Sequence, residues 1–116
     1  MDTVDDLLPL QPAVFHILMA LAEEDRHGYA LIQAIAERTE SRVRMGAGTL
    51  YRSLHRMLEE GLVVEIDQRP RPGEDDERRR YYRMTPLGRK AARAEAQRLA
   101  DLVRLARASG LAPKKL

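Results

Sequence analysis

Residues 47–67, with the sequence AGTLYRSLHRMLEEGLVVEID, change from a helical to a strand-like hydrophobic period at a single glycine. Before Gly61 the apolar side chains recur every three or four residues, which is the spacing of one side of a helix. After it Leu62, Val64 and Ile66 alternate with their neighbours, as in a half-buried strand. The stretch therefore predicts a helix over 47–60, ended by a glycine cap, and a strand over 62–67.

Further regular elements are predicted on both sides of this stretch. They are helices over 12–22, 28–38 and 86–108 and a strand over 78–84. Pro12 suits the first turn of its helix, and Thr85-Pro86 supplies an N-cap followed by a first-turn proline. The intervening residues 69–77 are rich in proline, glycine and acids, which is typical of an exposed loop.

The order helix, helix, short turn, helix, strand, strand is that of a winged helix-turn-helix. The predicted fold class is therefore mainly α with a two-stranded β-wing and a long C-terminal dimerisation helix. A chain of 116 residues is expected to form one domain of this kind. We predict a DNA-binding domain over 1–85 with an N-terminal arm over 1–9, a dimerisation helix over 86–108 and a tail over 109–116.

Basic and acidic residues are separated along the chain, although 20 Lys and Arg against 18 Asp and Glu leave a net charge of only +2. Residues 41–58 contain four arginines and no acid, and residues 78–93 contain seven bases and no acid. Clusters of this kind form the cationic surfaces that bind phosphate. Two solvated basic surfaces without a partner are the simpler alternative.

The basic residues of the predicted 47–60 helix fall on or near the side opposite its apolar side chains. Arginine on such a face can fork to guanine or pair with a phosphate, although an ordinary surface helix also exposes arginines. Wing arginines that flank the acidic loop are expected to contact phosphate without reading sequence. The predicted DNA contacts are Thr49, Arg52, His55 and Arg56 on the helix and Arg79 and Arg80 on the wing, with Arg69, Arg71 and Arg78 as further flanking bases.

Three motifs occur in order along the chain: His27-Gly28-Tyr29, GTLYxxLxRMxxxGL over 48–62 and RYYRMTxxGR over 80–89. With these motifs the chain resembles the PadR family of transcriptional regulators. The resemblance implies a homodimeric winged-helix repressor of the short subfamily, in which one C-terminal helix replaces a larger second domain. It also implies that Tyr51 and Arg56 lie near the DNA and that Tyr81 and Tyr82 lie in the second wing strand.

One side of the last predicted helix stays apolar beyond the length that a single small domain covers. We expect this side to pack on a second copy, together with the N-terminal leucines or the first helix. A two-fold dimer places two probe helices about one DNA turn apart, which predicts an imperfect palindrome as the target. The alternative is a monomer whose helix folds back on its own body. The predicted dimer contacts are Leu8, Phe15, Leu99, Leu102, Val103 and Ala106, with Leu7 and Leu10 beside them.

No grouping of residues in the sequence points to catalysis or metal binding. The chain has no cysteine, and His16, His27 and His55 fall in three different elements without ligand spacing. We therefore expect neither an enzyme nor a cofactor. With no leader and no long apolar run, we expect a cytoplasmic protein without a membrane segment. An unidentified small-molecule effector stays open, and the alternative function is a protein-interaction adaptor that does not bind DNA.

Overall fold

The computed structural model describes residues 4–68 and 79–113, and the side chains of residues 67, 68 and 79 also lie outside the described part. A short 3-10 helix, Val4–Leu7, precedes the main elements. In chain order these are α1 (Pro12–Leu21), β1 (Arg26–His27), α2 (Gly28–Arg38), α3 (Ala47–Glu59), β2 (Val63–Gln68), β3 (Arg79–Met84) and α4 (Pro86–Ala108). The predicted elements are confirmed to within one residue at each end. The predicted loop over 69–77, with Arg69, Arg71 and the neighbouring Arg78, lies outside the described residues.

Strand β3 is the centre of a three-stranded antiparallel sheet with the order β1-β3-β2. Strands β2 and β3 pair along their whole lengths and form the predicted wing. Strand β1 adds Arg26 opposite Tyr82 and His27 opposite Tyr81. Two residues are too few to show an alternating pattern, so the sequence gives no sign of this strand. The pairing of β1 with β3 attaches the segment before α2 to the wing.

The buried core lies between α1, α2, α3 and the inner side of the wing. From α3 it receives Leu50, Leu54 and Met57, none of which exceeds 1% exposure. The predicted division of α3 into an apolar and a polar side is therefore confirmed, except that Leu58 is only half-buried. The largest fully buried side chains are Ile17, Leu18, Leu31, Ile35, Leu50, Leu54, Met57, Leu62 and Val63.

The end of α3 is capped where the glycine predicts it. Gly61 has a φ of +78°, and the N–H groups of Gly61 and Leu62 donate to the carbonyls of Leu58 and Met57 at 3.3 and 2.9 Å. This pair of bonds is the Schellman motif, in which the left-handed residue favours glycine. Thr85 caps α4 and also donates its hydroxyl to the Gly61 carbonyl at 2.6 Å. The turn after α3 and the start of α4 are thus joined.

Helix α4 has 23 residues, about 35 Å, and only its first half lies on the domain. Its buried residues are Gly88, Ala91 and Glu95. Beyond Glu95 no residue of α4 is buried, and the side chains of Leu102 and Leu105 are 47% and 65% exposed. In the described ranges no helix, α4 included, is apolar over a length that crosses a bilayer.

The buried carboxylate of Glu95 joins the N-terminal segment to α4. Its Oε1 accepts a hydrogen bond from the backbone N–H of Leu10 at 3.1 Å, and its two oxygens accept from Arg98 at 2.9 and 2.6 Å. The hydrogen bonds from Arg98, and secondarily from Leu10, hold the pKa of Glu95 below its ordinary value although burial raises it. Leu10 lies in the core of its own chain. It is 8% exposed, so little of its side chain is open to a partner, and the part that the N-terminal leucines take in a dimer stays a prediction.

We expect Glu95→Gln to lower the free energy of unfolding by about 1–2 kcal/mol at neutral pH, because the charged hydrogen bonds to Arg98 are lost. The folded-state pKa of Glu95 lies below its ordinary value of 4.5. Its contribution is therefore present above that value and disappears as the pH falls through the folded-state pKa. Urea unfolding at fixed protein concentration should give a difference at pH 7 that shrinks as the pH is lowered below 4.5. Glu37→Gln, at an exposed position of α2, is the control, and an equal loss in both variants would contradict this role.

Candidate nucleic-acid interface

Helix α3 carries five of the predicted DNA contacts, and all five side chains are exposed. Its opposite side is anchored in the core by Leu50, Leu54 and Met57, so the helix cannot turn without unpacking the domain. The two sides are separated because successive side chains step by about 100° around a helix. Whether the exposed residues bind DNA stays a prediction. They are Thr49, Tyr51, Arg52, His55 and Arg56.

Two of these side chains contact acids at the C-terminal end of their own helix, Glu59 in its last turn and Glu60 at its C-cap. Arg56 Nε lies 3.6 Å from Glu60 Oε1, and His55 Nε2 lies 3.2 Å from Glu59 Oε1. The acids follow directly after the acid-free stretch 41–58, and each lies four residues after its basic partner, a spacing that brings side chains together on a helix. Arg56 is still 66% exposed, and such surface pairs contribute little free energy. A phosphate can therefore replace the carboxylate at small cost.

Arg52 has a different environment from Arg56. Its Nη2 donates a long hydrogen bond to Thr49 Oγ1 at 3.4 Å. Among the described residues no carboxylate lies within 4.0 Å of it, so its guanidinium fork is not engaged by an acid. Of the cations on α3, Arg52 is therefore the one best prepared to contact a base edge or a phosphate.

On the wing, the side chain of Arg80 is directed to the neighbouring strand. Its Nε lies 3.4 Å from Glu65 Oε1, and the side chain is 77% exposed. Arg79 begins β3, but its side chain lies outside the described part. Of the two predicted wing contacts, only the side chain of Arg80 is described, and its exposed ion pair with Glu65 is weak.

Arg83, on the same strand, has a structural role. Its Nε and Nη2 donate to the Asp25 carboxylate at 3.2 and 2.8 Å. The hydrogen bond and the charge of Asp25 raise the pKa of Arg83. This forked pair joins β3 to the segment before β1. Because the guanidinium of Arg83 is already engaged by a carboxylate, we do not count it among the candidate phosphate contacts.

A cleft of about 270 Å³ opens beside the first turn of α3. Arg44, from the loop between α2 and α3, lies in its wall together with Thr49 and His16. Arg44 is exposed, and it belongs to the basic stretch 41–58, although it is not among the predicted contacts. The cleft places one more cation beside the start of the predicted probe helix, where helix N–H groups already favour anions. The remaining wall residues are Pro12, Ala13, Val43, Met45 and Gly46.

The three histidines are far from forming one site. His27 Nδ1 accepts a hydrogen bond from the Ala30 N–H at 3.2 Å and caps α2. His55 lies on the outer side of α3, and His16 lies in the cleft. Within residues 4–68 and 79–113, His, Asp and Glu nowhere gather in a group of three or more that could hold a metal ion.

The predicted dimer contacts divide into two groups. Leu8 and Phe15 are partly buried against the core of their own chain. On α4, Leu99 and Leu102 are 36% and 47% exposed, whereas Val103 and Ala106 are half-buried. A further exposed leucine on α4, Leu105, was absent from the predicted set. Because the structure contains a single chain, the dimer stays a prediction.

Comparison with known proteins gives concordant results. A family model described as the transcriptional regulator PadR-like family matches residues 17–94. The chain is 39% identical to the transcriptional regulator Rv3488 of Mycobacterium tuberculosis over 89 residues, and this alignment covers 77% of each protein. A transcriptional regulator from Clostridium thermocellum has a similar structure, with a TM-score of 0.69, 25% identity and coverage of 90% of this chain and 94% of that chain. Bacillus subtilis PadR in complex with operator DNA shares the fold, with a TM-score of 0.63, 15% identity and coverage of 72% and 47%.

Proposed function

The chain belongs to the PadR-like family of transcriptional regulators, and on that premise we propose that it represses transcription by binding palindromic operator DNA as a homodimer. The observation that carries the proposal is the two-sided α3, with Leu50, Leu54 and Met57 buried and a cationic outer side. A rigid helix of this kind fits the major groove, which is about 12 Å wide. The described wing supplies Arg80 for the neighbouring backbone.

The roles of the cations differ. Arg52, which has no acid partner among the described residues, reads a base edge or holds the phosphate beside it. Arg56 and Arg80 exchange their carboxylates for phosphates, which releases counterions and makes binding depend steeply on salt. Thr49, Tyr51 and His55 complete the helix surface, and Arg79 extends the wing.

The homodimer is supported by α4. The side that packs on the chain's own core at Gly88, Ala91 and Glu95 continues as Leu99 and Leu102, which this chain leaves exposed, and as the half-buried Ala106. A second copy related by two-fold symmetry covers both stripes at once. The pair of α3 helices then meets two half-sites, and the protein acts in the cytoplasm on DNA.

We expect Arg52→Ala to weaken operator binding by about 1–3 kcal/mol and to relax the preference at one base position, because no carboxylate among the described residues engages its guanidinium fork. Arg80→Ala should weaken all duplexes alike and reduce the salt slope by about one phosphate contact. Arg104→Ala, on the exposed second half of α4, is the charge-matched control. Site selection from random DNA, followed by fluorescence anisotropy across a salt series, measures all three. Wild-type affinity in both the Arg52 and Arg80 variants would rule out these contacts.

The same salt series tests the function itself. A DNA-binding protein should bind random duplexes and lose affinity steeply as salt rises. An interaction adaptor with this fold should bind little at any salt concentration, and that result would overturn the proposed function.

A further inference from the structure

Gly28, the first residue of α2, lies against the outer end of the Tyr51 ring, which would have to move to admit a side chain there. A Cβ built there would lie 2.3 Å from the hydroxyl oxygen of Tyr51, 2.8 Å from its Cζ and 3.1 Å from its Cε1. Contacts below 3.0 Å do not occur between such atoms. The end of the Tyr51 ring therefore fills the space that any other residue at position 28 would use, and α3 touches the N-terminus of α2 at this point.

The backbone of Gly28 does not itself require glycine. Its φ lies outside the left-handed region, in contrast to that of Gly61. Within helices glycine is less favourable than alanine because it loses more conformational freedom on folding. The contact with Tyr51 is therefore the physical reason for glycine at this position.

The place where Tyr51 meets α2 is also where α2 joins the wing sheet. His27, the preceding residue, pairs with Tyr81 in β3, and their rings meet edge to face at 5.4 Å. Tyr82, the next residue of β3, is 5% exposed. Burial chiefly raises the pKa of Tyr82, with smaller contributions from Glu65 and from Tyr51, so the Tyr51 phenol lies close enough to influence it. One small region thus connects α3, the start of α2 and the wing.

We propose that Gly28 is a positioning residue for DNA binding: by leaving room for the outer end of the Tyr51 ring, it sets where that ring lies on the exposed side of α3. The inference rests on the proposed function, in which Tyr51 and its neighbours on α3 bind the duplex. A side chain contributes fully to such a contact only when its geometry is held to within about 0.5 Å. Tyr51, predicted as a direct contact, then has a second role through its hydroxyl end, while the ring remains 51% exposed.

The test is a double-mutant cycle with Gly28→Ala, Tyr51→Ala and the combined variant. We expect Gly28→Ala alone to weaken operator binding by about tenfold and to lower the melting temperature, because the Tyr51 ring must move aside. In the Tyr51→Ala background the same change should leave operator affinity unchanged. There it should also raise the melting temperature, because alanine is the better helix residue. All four affinities, including that of the wild type, are measured on the duplex selected with the wild-type protein.

Gly46→Ala is the matched control, because a Cβ at Gly46 meets nothing within 4 Å. Its effect should be the same with Tyr51 present or absent. An affinity loss from Gly28→Ala that is equal in both backgrounds would overturn the positioning role and leave the proposed function intact. A wild-type protein without salt-dependent DNA binding would overturn both. Coupling in melting temperature without coupling in affinity would show a packing contact only and would also overturn the inference.

Discussion

Leu102→Glu is expected to leave each chain folded but monomeric and to weaken operator binding by at least about 100-fold. Leu102 is 47% exposed in the single chain, so replacing it removes little from the chain's own core. In a two-fold dimer the change occurs twice, and each carboxylate would be buried without a partner. A monomer presents one α3 and keeps half of the contacts to a palindrome.

The measurement for this variant is sedimentation velocity at micromolar concentration, together with anisotropy on the full palindrome and on a single half-site. Ala100→Glu adds the same charge at an exposed position on the opposite side of α4 and serves as the control. We expect it to dimerise and bind as the wild-type protein does. A Leu102→Glu protein that still sediments as a dimer would show that α4 packs elsewhere, and the proposed dimer would have to be abandoned.

Leu54→Ala is expected to lower the free energy of unfolding by about 2–5 kcal/mol. Leu54 is 1% exposed and lies on the side of α3 that faces the core. Its removal takes away apolar contacts and leaves a cavity beneath α3. Domains of this size are stable by only about 5–15 kcal/mol, so this one change removes a large share of the total.

Urea unfolding at one fixed protein concentration measures the effect, because the stability of a dimer depends on concentration. Val64→Ala, at a 45% exposed position of β2, is the control and should change the free energy by less than about 0.5 kcal/mol. A loss below about 1 kcal/mol for Leu54→Ala would mean that α3 is not anchored through this side. The outer face of the helix would then lack the rigid support that groove binding requires.

Several basic side chains of the candidate interface are paired with acids of the same chain, and the sequence reveals only some of these pairs. The acid-free stretch 41–58 predicts a free cationic face, yet Arg56 and His55 each meet an acid one turn further along α3. Such pairs could have been predicted from their spacing of four residues. The contact of Arg80 with Glu65 could not, because it depends on how β2 and β3 pair. Arg52 is distinguished from these cations by its surroundings and not by its residue type.

The sequence alone determined the elements whose causes are local. The helical period across 47–60, the glycine at 61 and the Thr85-Pro86 pair each act within a few residues, so the bounds of α3 and the start of α4 follow from them. The family motifs added the arrangement of those elements around one core. A cationic face opposite an apolar one is likewise a matter of helical spacing.

The tertiary structure decided what depends on residues far apart in the chain. Strand β1 exists because β3 lies beside it, since two residues have no pattern of their own. The buried Glu95 accepts a hydrogen bond from the backbone of Leu10, which is 85 residues away in the chain. Gly28 leaves the space that the outer end of the Tyr51 ring occupies. In each case the cause is a neighbour in space, and no local period or propensity in the sequence records where that neighbour will be.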